Sequence, residues 1–181
     1  MSRLSVYHHS TADIPNKVLS HTEDIAATLA ELGVRFERAG STLPVSFEAS
    51  PEEIVATCRA EVDAWMAQGG YMSVDVLSLD ENNVQHTPTQ AELLREHRLI
   101  GEWVLCVLAG RALLNLHVGG YVYALLCERD DRVVVPAGMA HWLDMGERGR
   151  LIALRVLTDS RGWCPEYVVQ PANDRFPRLD D

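Results

Sequence analysis

The sequence predicts a mainly β protein: a closed or double-sheet antiparallel barrel with helices in its N-terminal third. From Tyr71 onward, apolar residues alternate with polar ones in short segments that turn residues separate, which is the pattern of β-strands. Before Tyr71, apolar residues recur at helical spacing in two segments. A chain of 181 residues is long enough for one domain with a sizeable core and too short for two ordinary ones.

We therefore predict a single domain over residues 1–181. Its helical and edge elements occupy about residues 1–70, the barrel about 71–170 and a C-terminal tail about 171–181. In the first part, VYHHS suits a short strand and VRFER an edge strand. Between them, HTEDIAATLAELG predicts a helix, because Ile25, Leu29 and Leu32 fall at helical spacing and Gly33 can end it with a left-handed cap.

A second helix is predicted over SPEEIVATCRAEVDAWMAQGG. Ser50 is a favourable N-cap residue, Pro51 suits the first helical turn, and two acidic residues follow. The apolar stripe of this helix is typical of a packing face.

The barrel is built from short strands joined by turns. YMSVDVLSL is a predicted strand and TQAELLREH a short helical or irregular connection. The strands that follow are EWVLCVLAG, RALLNLHVGG, YVYALLCERDD, RVVVPAG and RLIALRVLTD. The dipeptides Ala109-Gly110, Gly119-Gly120 and Asp130-Asp131 suit hairpin turns, so consecutive strands are predicted to pair antiparallel. The tail PANDRFPRLDD is predicted to be an ordered wrap that ends in a free end.

Composition restricts the partners and the compartment. Sixteen basic and 26 acidic residues give a formal charge of −10, which disfavours nucleic acid and anionic membranes as partners. No apolar run is long enough to span a membrane, and the N-terminus lacks the apolar core of a secretory signal. We therefore predict a cytoplasmic protein with a small-molecule substrate, present as a monomer or a homodimer. The four cysteines show no C-x-x-C spacing and are interpreted as reduced core thiols.

Several longer segments point to a family. In order and spacing, LGVRFER, GYMSVDVLSLDENN, LHVGGYVYALLCERDDRVVVPAGMAHWLDMG, LIALRVLTDSRGW and RFPRL resemble the acireductone dioxygenases of methionine salvage. The resemblance extends from about Leu32 to the C-terminus. It implies a cupin β-barrel of the jelly-roll type, an Fe(II) or Ni(II) centre and oxygen cleavage of an enediol substrate.

The same resemblance shows which metal ligands are missing. The family pattern is His-x-His-x-x-x-Glu on one strand, with a fourth His in a Pro-x-x-x-x-His-Trp segment. Aligned without a gap, these positions fall on His97, Leu99, Trp103 and His141. A family Arg two residues beyond the Glu falls on Leu105. The inward face of this strand is therefore predicted to be an apolar wall with a single imidazole.

Glu102 could restore a metal site if a β-bulge between His97 and Val104 turned it inward. His97, Glu102 and His141 would then form the two-histidine, one-carboxylate set of non-haem iron oxygenases. Without a metal, His97 and His141 could act as an acid/base pair, since the pKa of an imidazole is near cellular pH. The alternative is that both are inherited, hydrogen-bonded core residues.

Leu99, Trp103, Leu105, Trp142 and Leu143 are the predicted apolar contacts of the substrate. Arg155 resembles a family Arg and is a further candidate for substrate contact, although it could face inward or outward.

Among the remaining polar residues, Glu96 is interpreted as an exposed or supporting carboxylate. Asp144 is either a supporting acceptor or a turn residue. The other five histidines are interpreted as ordinary surface or structural residues: His8, His9, His21, His86 and His117.

Three functions remain open from the sequence. The first is an acireductone dioxygenase-like enzyme recruited to a different reaction on a larger, apolar substrate, with the metal weakened or absent and histidine acid/base chemistry in its place. The second is an Fe(II)- or Ni(II)-dependent dioxygenase of the acireductone dioxygenase type. The third is a cupin that binds a small molecule without catalysis. The sequence contains no P-loop, dinucleotide-binding glycine motif or Ser-His-Asp arrangement that would suggest other chemistry.

Overall fold

Two antiparallel sheets that share one long strand form the body of the protein in a computed structural model, which describes residues 1–40, 43–80 and 90–181. The strands are β1 (Arg3–His8), β2 (Lys17–Leu19), β3 (Arg35–Arg38), β4 (Ser73–Leu79), β5 (His97–Arg98), β6 (Trp103–Val118), β7 (Tyr121–Glu128), β8 (Asp131–Val135), β9 (Ala140–Asp144), β10 (Leu151–Leu157) and β11 (Glu166–Tyr167). The helices are α1 (Thr22–Ala30), α2 (Pro51–Thr57), α3 (Arg59–Ala67) and α4 (Gln90–Leu94), followed by a 3₁₀ turn at Asn173–Arg175.

The first sheet has the order β11-β5-β9-β6-β7-β1-β2, and the second has the order β4-β10-β6-β8-β3. All the strand pairs of both sheets are antiparallel. The predicted mainly β, double-sheet fold is therefore confirmed, and it is open rather than closed. No helix in the described part of the chain is long and apolar enough to cross a membrane.

Strand β6 corrects the hairpin predicted at Ala109-Gly110. Its N-terminal half pairs with β8 and β10, and its C-terminal half pairs with β7 and β9. Gly110 lies where the strand passes from one sheet to the other, with a φ of 76°. A Cβ on this residue would lie 1.7 Å from the backbone oxygen of Arg150, so the position requires glycine.

The other two predicted turns have different outcomes. Gly119-Gly120 joins β6 to β7 as a two-residue hairpin, as predicted. Asp130-Asp131 joins strands of different sheets: β7 pairs with β1 and β6, whereas β8 pairs with β3 and β6. Asp130 has a φ of 74° and provides the reversal without a hairpin.

The helices agree with the prediction except at one break. Helix α1 buries Ile25 and Leu29 in the core between the sheets. The predicted second helix is divided into α2 and α3 at Cys58, whose φ of −97° and ψ of 15° depart from helical values. At its start, the Ser50 side chain accepts a hydrogen bond of 3.2 Å from the Glu53 N–H, as expected of an N-cap.

Three apolar clusters hold these layers together. The largest fills the space between the two sheets. A second lies between the outer face of the second sheet and helices α2 and α3. A third lies on the outer face of the first sheet, where Ala172 and Phe176 of the tail cover Tyr7, Val122 and Trp142. The inner face of both sheets is thus the interior in which a site has to be sought.

The tail is anchored by a buried carboxylate, which explains its ordered course. Asp144 is 3% exposed and accepts hydrogen bonds from the Arg178 guanidinium at 2.6 Å and from the Leu179 N–H at 3.0 Å. Burial alone would raise the pKa of Asp144, but the hydrogen bonds from Arg178, Leu179 and Gly146 outweigh it and lower the pKa. Of the two roles considered for this residue, the structure shows an acceptor that fixes the tail.

We expect Asp144→Asn to destabilise the fold by about 2 kcal/mol at pH 7, because it removes an ionic hydrogen bond and leaves the partly exposed Arg178 to water. Because the pKa of Asp144 is lower in the folded than in the unfolded state, its contribution is present above the ordinary aspartate pKa of about 3.9 and is lost as the pH falls through the folded pKa. Urea unfolding of both proteins from pH 7 to pH 3 tests this: the difference should shrink only below about pH 4. The exposed Asp13→Asn is the control; an equal effect there would contradict the assignment.

Candidate active site

The candidate site lies between the sheets, where β5 and β9 of the first sheet meet the start of β6. His97 of β5 pairs with His141 of β9, and both side chains are buried at 1% and 2% exposure. Leu99, Trp103 and Leu105 belong to the same inter-sheet core. The segment from His97 to Leu105 is interrupted after Arg98, where β5 ends, and β6 begins only at Trp103. It is therefore two strands joined by a bend rather than the single strand predicted.

The two imidazoles lie together in a defined tautomeric arrangement. Their ring centroids are 4.4 Å apart. The Nδ1 atom of His97 lies 2.7 Å from the backbone oxygen of Arg95, and that of His141 lies 2.9 Å from the backbone oxygen of Met139. Because a carbonyl oxygen can only accept, each Nδ1 carries the proton, and in the neutral ring each Nε2 carries a lone pair. The site thus presents two basic nitrogens from fixed rings.

Both imidazoles are neutral at pH 7. Burial, with smaller contributions from His97 and Arg155, lowers the pKa of His141 to about 3 against the opposing hydrogen bond to Met139. Burial also lowers the pKa of His97, as does Arg155, against the opposing hydrogen bond to Arg95. Two neutral imidazoles can accept protons or hydrogen bonds.

Two indoles flank the pair. The Trp103 ring centroid lies 5.0 Å from that of His141, and the Trp163 centroid lies 5.6 Å from that of His97. The Nε1 atoms of both tryptophans are buried and have no hydrogen-bond partner among the described residues. Trp103 stands where the family resemblance places a glutamate ligand, so this position presents a donor instead of an acceptor.

Arg155 lies in the interior, which settles the direction that the sequence left open. It is 2% exposed and its guanidinium forms two hydrogen bonds with Asp75 of β4, at 3.0 and 2.5 Å. The guanidinium carbon also lies 5.5 Å from the Trp163 ring centroid. A positive charge therefore lies close to the imidazoles and lowers the pKa of both.

The free space beside these residues is small. A cavity of about 10 Å³ is lined by Leu99, Trp103, Leu157, Gly162 and Cys164. This volume corresponds to about one water molecule. An organic ligand would have to displace side chains to occupy this cavity, which is too small for the larger apolar substrate predicted from the sequence.

Glu102 does not reach the site. Its carboxylate accepts a hydrogen bond of 2.5 Å from the Tyr71 hydroxyl, and Tyr71 belongs to the cluster on the outer side of the second sheet. The pairing of β6 with β10 is regular from Trp103 to Val107, and the register shift lies beyond it, opposite Ile152 and Ala153. The bend between Arg98 and Trp103 does not turn Glu102 inward, because its carboxylate is held by Tyr71 on the outer side of the second sheet.

Trp142 also differs from the prediction. It lies between two inward residues, His141 and Leu143, and strand alternation places it on the outer face of the first sheet. There it packs against Phe176 of the tail, with ring centroids 6.0 Å apart. Leu143 lies in the inter-sheet core, so of these two predicted pocket residues only Leu143 faces the interior.

The sequence missed a buried pair next to the site. Glu96, predicted to be exposed or supporting, is 1% exposed and lies 2.6 Å from Nδ1 of His117 and 2.6 Å from the Ala172 N–H. Burial alone would raise the pKa of Glu96, but these hydrogen bonds lower it. The pair joins β6 to the tail. Glu96 and His117 are 21 residues apart, so no local sequence pattern indicated that they would pair. His86, another histidine considered in the sequence, lies outside the described residues.

The donor set does not fit an Fe(II) or Ni(II) centre. Within the described ranges 1–40, 43–80 and 90–181, no three His, Cys, Asp or Glu side chains are grouped so that they could hold a metal ion. His97 and His141 remain, but Leu99 and Trp103 replace two ligands of the family pattern and Glu102 is turned away. Two imidazoles alone fall short of the three or more protein ligands that such centres use.

The fold is that of a known cupin-type enzyme structure. The acireductone dioxygenase from Bacillus anthracis, solved with a cadmium ion in its active center, superposes with a TM-score of 0.78. The match covers 92% of this chain and 98% of that one at 21% sequence identity. Such a likeness defines the fold class.

The sequence comparisons define the family. The ARD/ARD' family profile matches residues 5–165. Over all 181 residues and the full length of each relative, the chain is 50% identical to the acireductone dioxygenase of Pseudomonas fluorescens strain Pf-5 and 42% identical to that of Pseudomonas aeruginosa strain UCBPP-PA14. The protein belongs to the acireductone dioxygenase family.

Proposed function

We propose that this protein carries out an acireductone dioxygenase-type reaction on a small enediol and that its two site histidines take over the proton transfer, with metal weakened or absent. The full-length likeness to enzymes of that name favours this substrate class over a different reaction. The observation that carries the proposal is the His97–His141 pair, with ring centroids 4.4 Å apart and both Nε2 lone pairs available.

An enediol conjugated to a carbonyl is acidic, so a weakly basic imidazole is sufficient to ionise it. One imidazole would take a hydroxyl proton at Nε2, and the other would accept a hydrogen bond from the second hydroxyl at its own Nε2. The buried guanidinium of Arg155 would favour the resulting anion. The ionised enediol is electron-rich and is the form that reacts with O2. Leu99, Leu105 and Leu143 would exclude water around it.

A second function keeps the metal. The names of the relatives, and the cadmium in the Bacillus anthracis structure, favour an Fe(II)- or Ni(II)-dependent dioxygenase. In this chain His97 and His141 would be its remaining ligands, with Glu102 available only after rearrangement. The side chains at the site argue against this assignment, because only His97 and His141 among the described residues could act as ligands there.

We expect the protein to consume an acireductone aerobically in the presence of a chelator. The measurements are loss of the enediol absorbance and O2 uptake, each corrected for the uncatalysed rate. His97→Gln and His141→Gln should lower kcat/KM by about a hundredfold or more, the usual range for a lost acid/base group. The exposed His21→Gln is the matched control and should keep full activity.

Three results would argue otherwise. Turnover that appears only after loading with Fe(II) or Ni(II) would establish the metal-dependent function. Saturable binding without turnover would identify a binding protein. Full activity of both site variants would remove the histidines from the reaction. We also propose a cytoplasmic location and a monomer or homodimer without nucleic-acid or membrane partners, which cell fractionation and light scattering would test.

A further inference from the structure

Two buried hydrogen-bond donors at the candidate site have no partner. Trp103 is 3% exposed, and its Nε1 atom is inaccessible to water and unpaired. The Nε1 atom of Trp163 is likewise buried and has no hydrogen-bond partner among the described residues. A buried donor without an acceptor costs about 1–3 kcal/mol, and native proteins keep few of them. Two such donors lie beside one pair of histidines, and none of the described residues 1–40, 43–80 and 90–181 supplies their acceptor.

The surroundings of these donors favour a negatively charged acceptor. Arg155 is buried, and its guanidinium carbon lies 5.5 Å from the Trp163 ring centroid. Asp75 is paired with Arg155 and is 29% exposed, so its charge is partly hydrated. The interior thus combines indole donors with a buried cation.

The cavity connects these observations to a ligand. Trp103 lines the cavity of about 10 Å³, and the chain segment that contains Trp163 lines it at Gly162 and Cys164. Its volume suffices for about one oxygen-sized group. A single oxygen of a ligand could therefore lie beside Trp103 with little rearrangement, although the rest of an organic molecule requires side chains to move.

We propose that the indole N–H groups of Trp103 and Trp163 form a donor site for an anionic oxygen of the ligand. If the proposed function holds, this oxygen belongs to the ionised enediol. The site has thereby changed from one that supplies acceptors to a cation into one that supplies donors to an anion. Trp103, at the position of the family glutamate, is the residue that makes this change.

Indole NMR tests the donor site in the intact protein. The chain has four tryptophans, so ¹⁵N-tryptophan labelling gives four indole N–H signals, which Trp→Phe variants assign. The probe is reductic acid, a small cyclic reductone that is an anion at neutral pH, added without oxygen. We expect saturable downfield shifts of the Trp103 and Trp163 signals. The Trp65 signal, from the cluster under α3, should not move.

The affinity for reductic acid can also be compared between two conservative variants, one at the proposed donor site and one away from it. Trp103→Phe keeps an aromatic ring but removes the donor, and we expect it to weaken reductic acid binding about tenfold or more, the usual effect of losing a hydrogen bond to a charged group. Trp65→Phe should leave affinity unchanged. If Trp103→Phe fails to fold, the other three Trp→Phe variants assign the Trp103 signal by elimination, and the shifts in the unmodified protein remain decisive.

The outcomes separate this inference from the proposed function. Turnover of acireductone with unmoved Trp103 and Trp163 signals, and normal binding by Trp103→Phe, would overturn the donor site and leave the proposed function intact. Acetate shifting both signals while reductic acid does not would support the donor site and contradict the enediol substrate. Signals that move with neither reductic acid nor acetate would overturn the donor site.

Discussion

The Leu99→His, Trp103→Glu double variant is expected to bind about one equivalent of Ni(II), whereas the unmodified protein binds far less. The two substitutions restore inward-facing ligands at the positions where the family pattern has them, beside His97 and His141. Four ligands that include one carboxylate form a set that suits Ni(II) or Fe(II). Metal content after anaerobic loading and desalting is the measurement.

Stability provides a second measurement of the same variant. Without metal, Trp103→Glu buries a carboxylate and removes an indole from the core, so the melting temperature in a chelator should fall well below that of the unmodified protein. Ni(II) should then raise it, because a metal bound only by the folded state stabilises that state. Leu99→His and Trp103→Glu singly are the controls. A folded double variant that takes up no metal would show that the backbone around the site has also changed.

The Asp75→Ala variant is expected to lose about 3–5 kcal/mol of unfolding free energy, because it leaves the buried guanidinium of Arg155 without its partner. Urea unfolding at pH 7 measures the loss. The Asp75→Ala, Arg155→Met double variant should recover much of it, since removing both partners of a buried ion pair is less costly than removing one. A loss below about 0.5 kcal/mol, as at a surface site, would contradict the structural role of the pair.

The inward residues could be predicted because strand alternation is a local property. Trp103 and Leu105 of β6, and His141 and Leu143 of β9, have the spacing that places them on one face, and the structure places them in one interior. The interruption between β5 and β6 left this outcome unchanged, because Leu99 still packs into the same core.

Other features depend on partners far along the chain. Ala109-Gly110 looks like a hairpin turn locally, but the close approach of Arg150 makes Gly110 the point where one strand changes sheet. Trp142 was assigned to the pocket because it follows His141; Ala172 and Phe176 of the tail, at least 30 residues later, cover it on the outer face. Sequence spacing alone contained neither contact.

The site itself shows both the strength and the limit of a family resemblance. The chain shares the family and fold of acireductone dioxygenases, and it keeps His97 and His141 together. Leu99 and Trp103 are nevertheless core residues in a well-packed interior, not disordered remnants of a ligand set. Family membership therefore defines the scaffold and favours the substrate class, while the side chains at the site decide whether a metal takes part.

Metal content of the purified unmodified protein tests most directly whether this family member has lost its metal centre. Inductively coupled plasma mass spectrometry would be applied before and after anaerobic loading with Fe(II) or Ni(II), beside His97→Ala and His141→Ala. We expect metal far below one equivalent in every sample, since two imidazoles are the only ligands that the described residues bring together at the site. About one equivalent in the unmodified protein, lost in both variants, would contradict this and establish a metal-dependent enzyme.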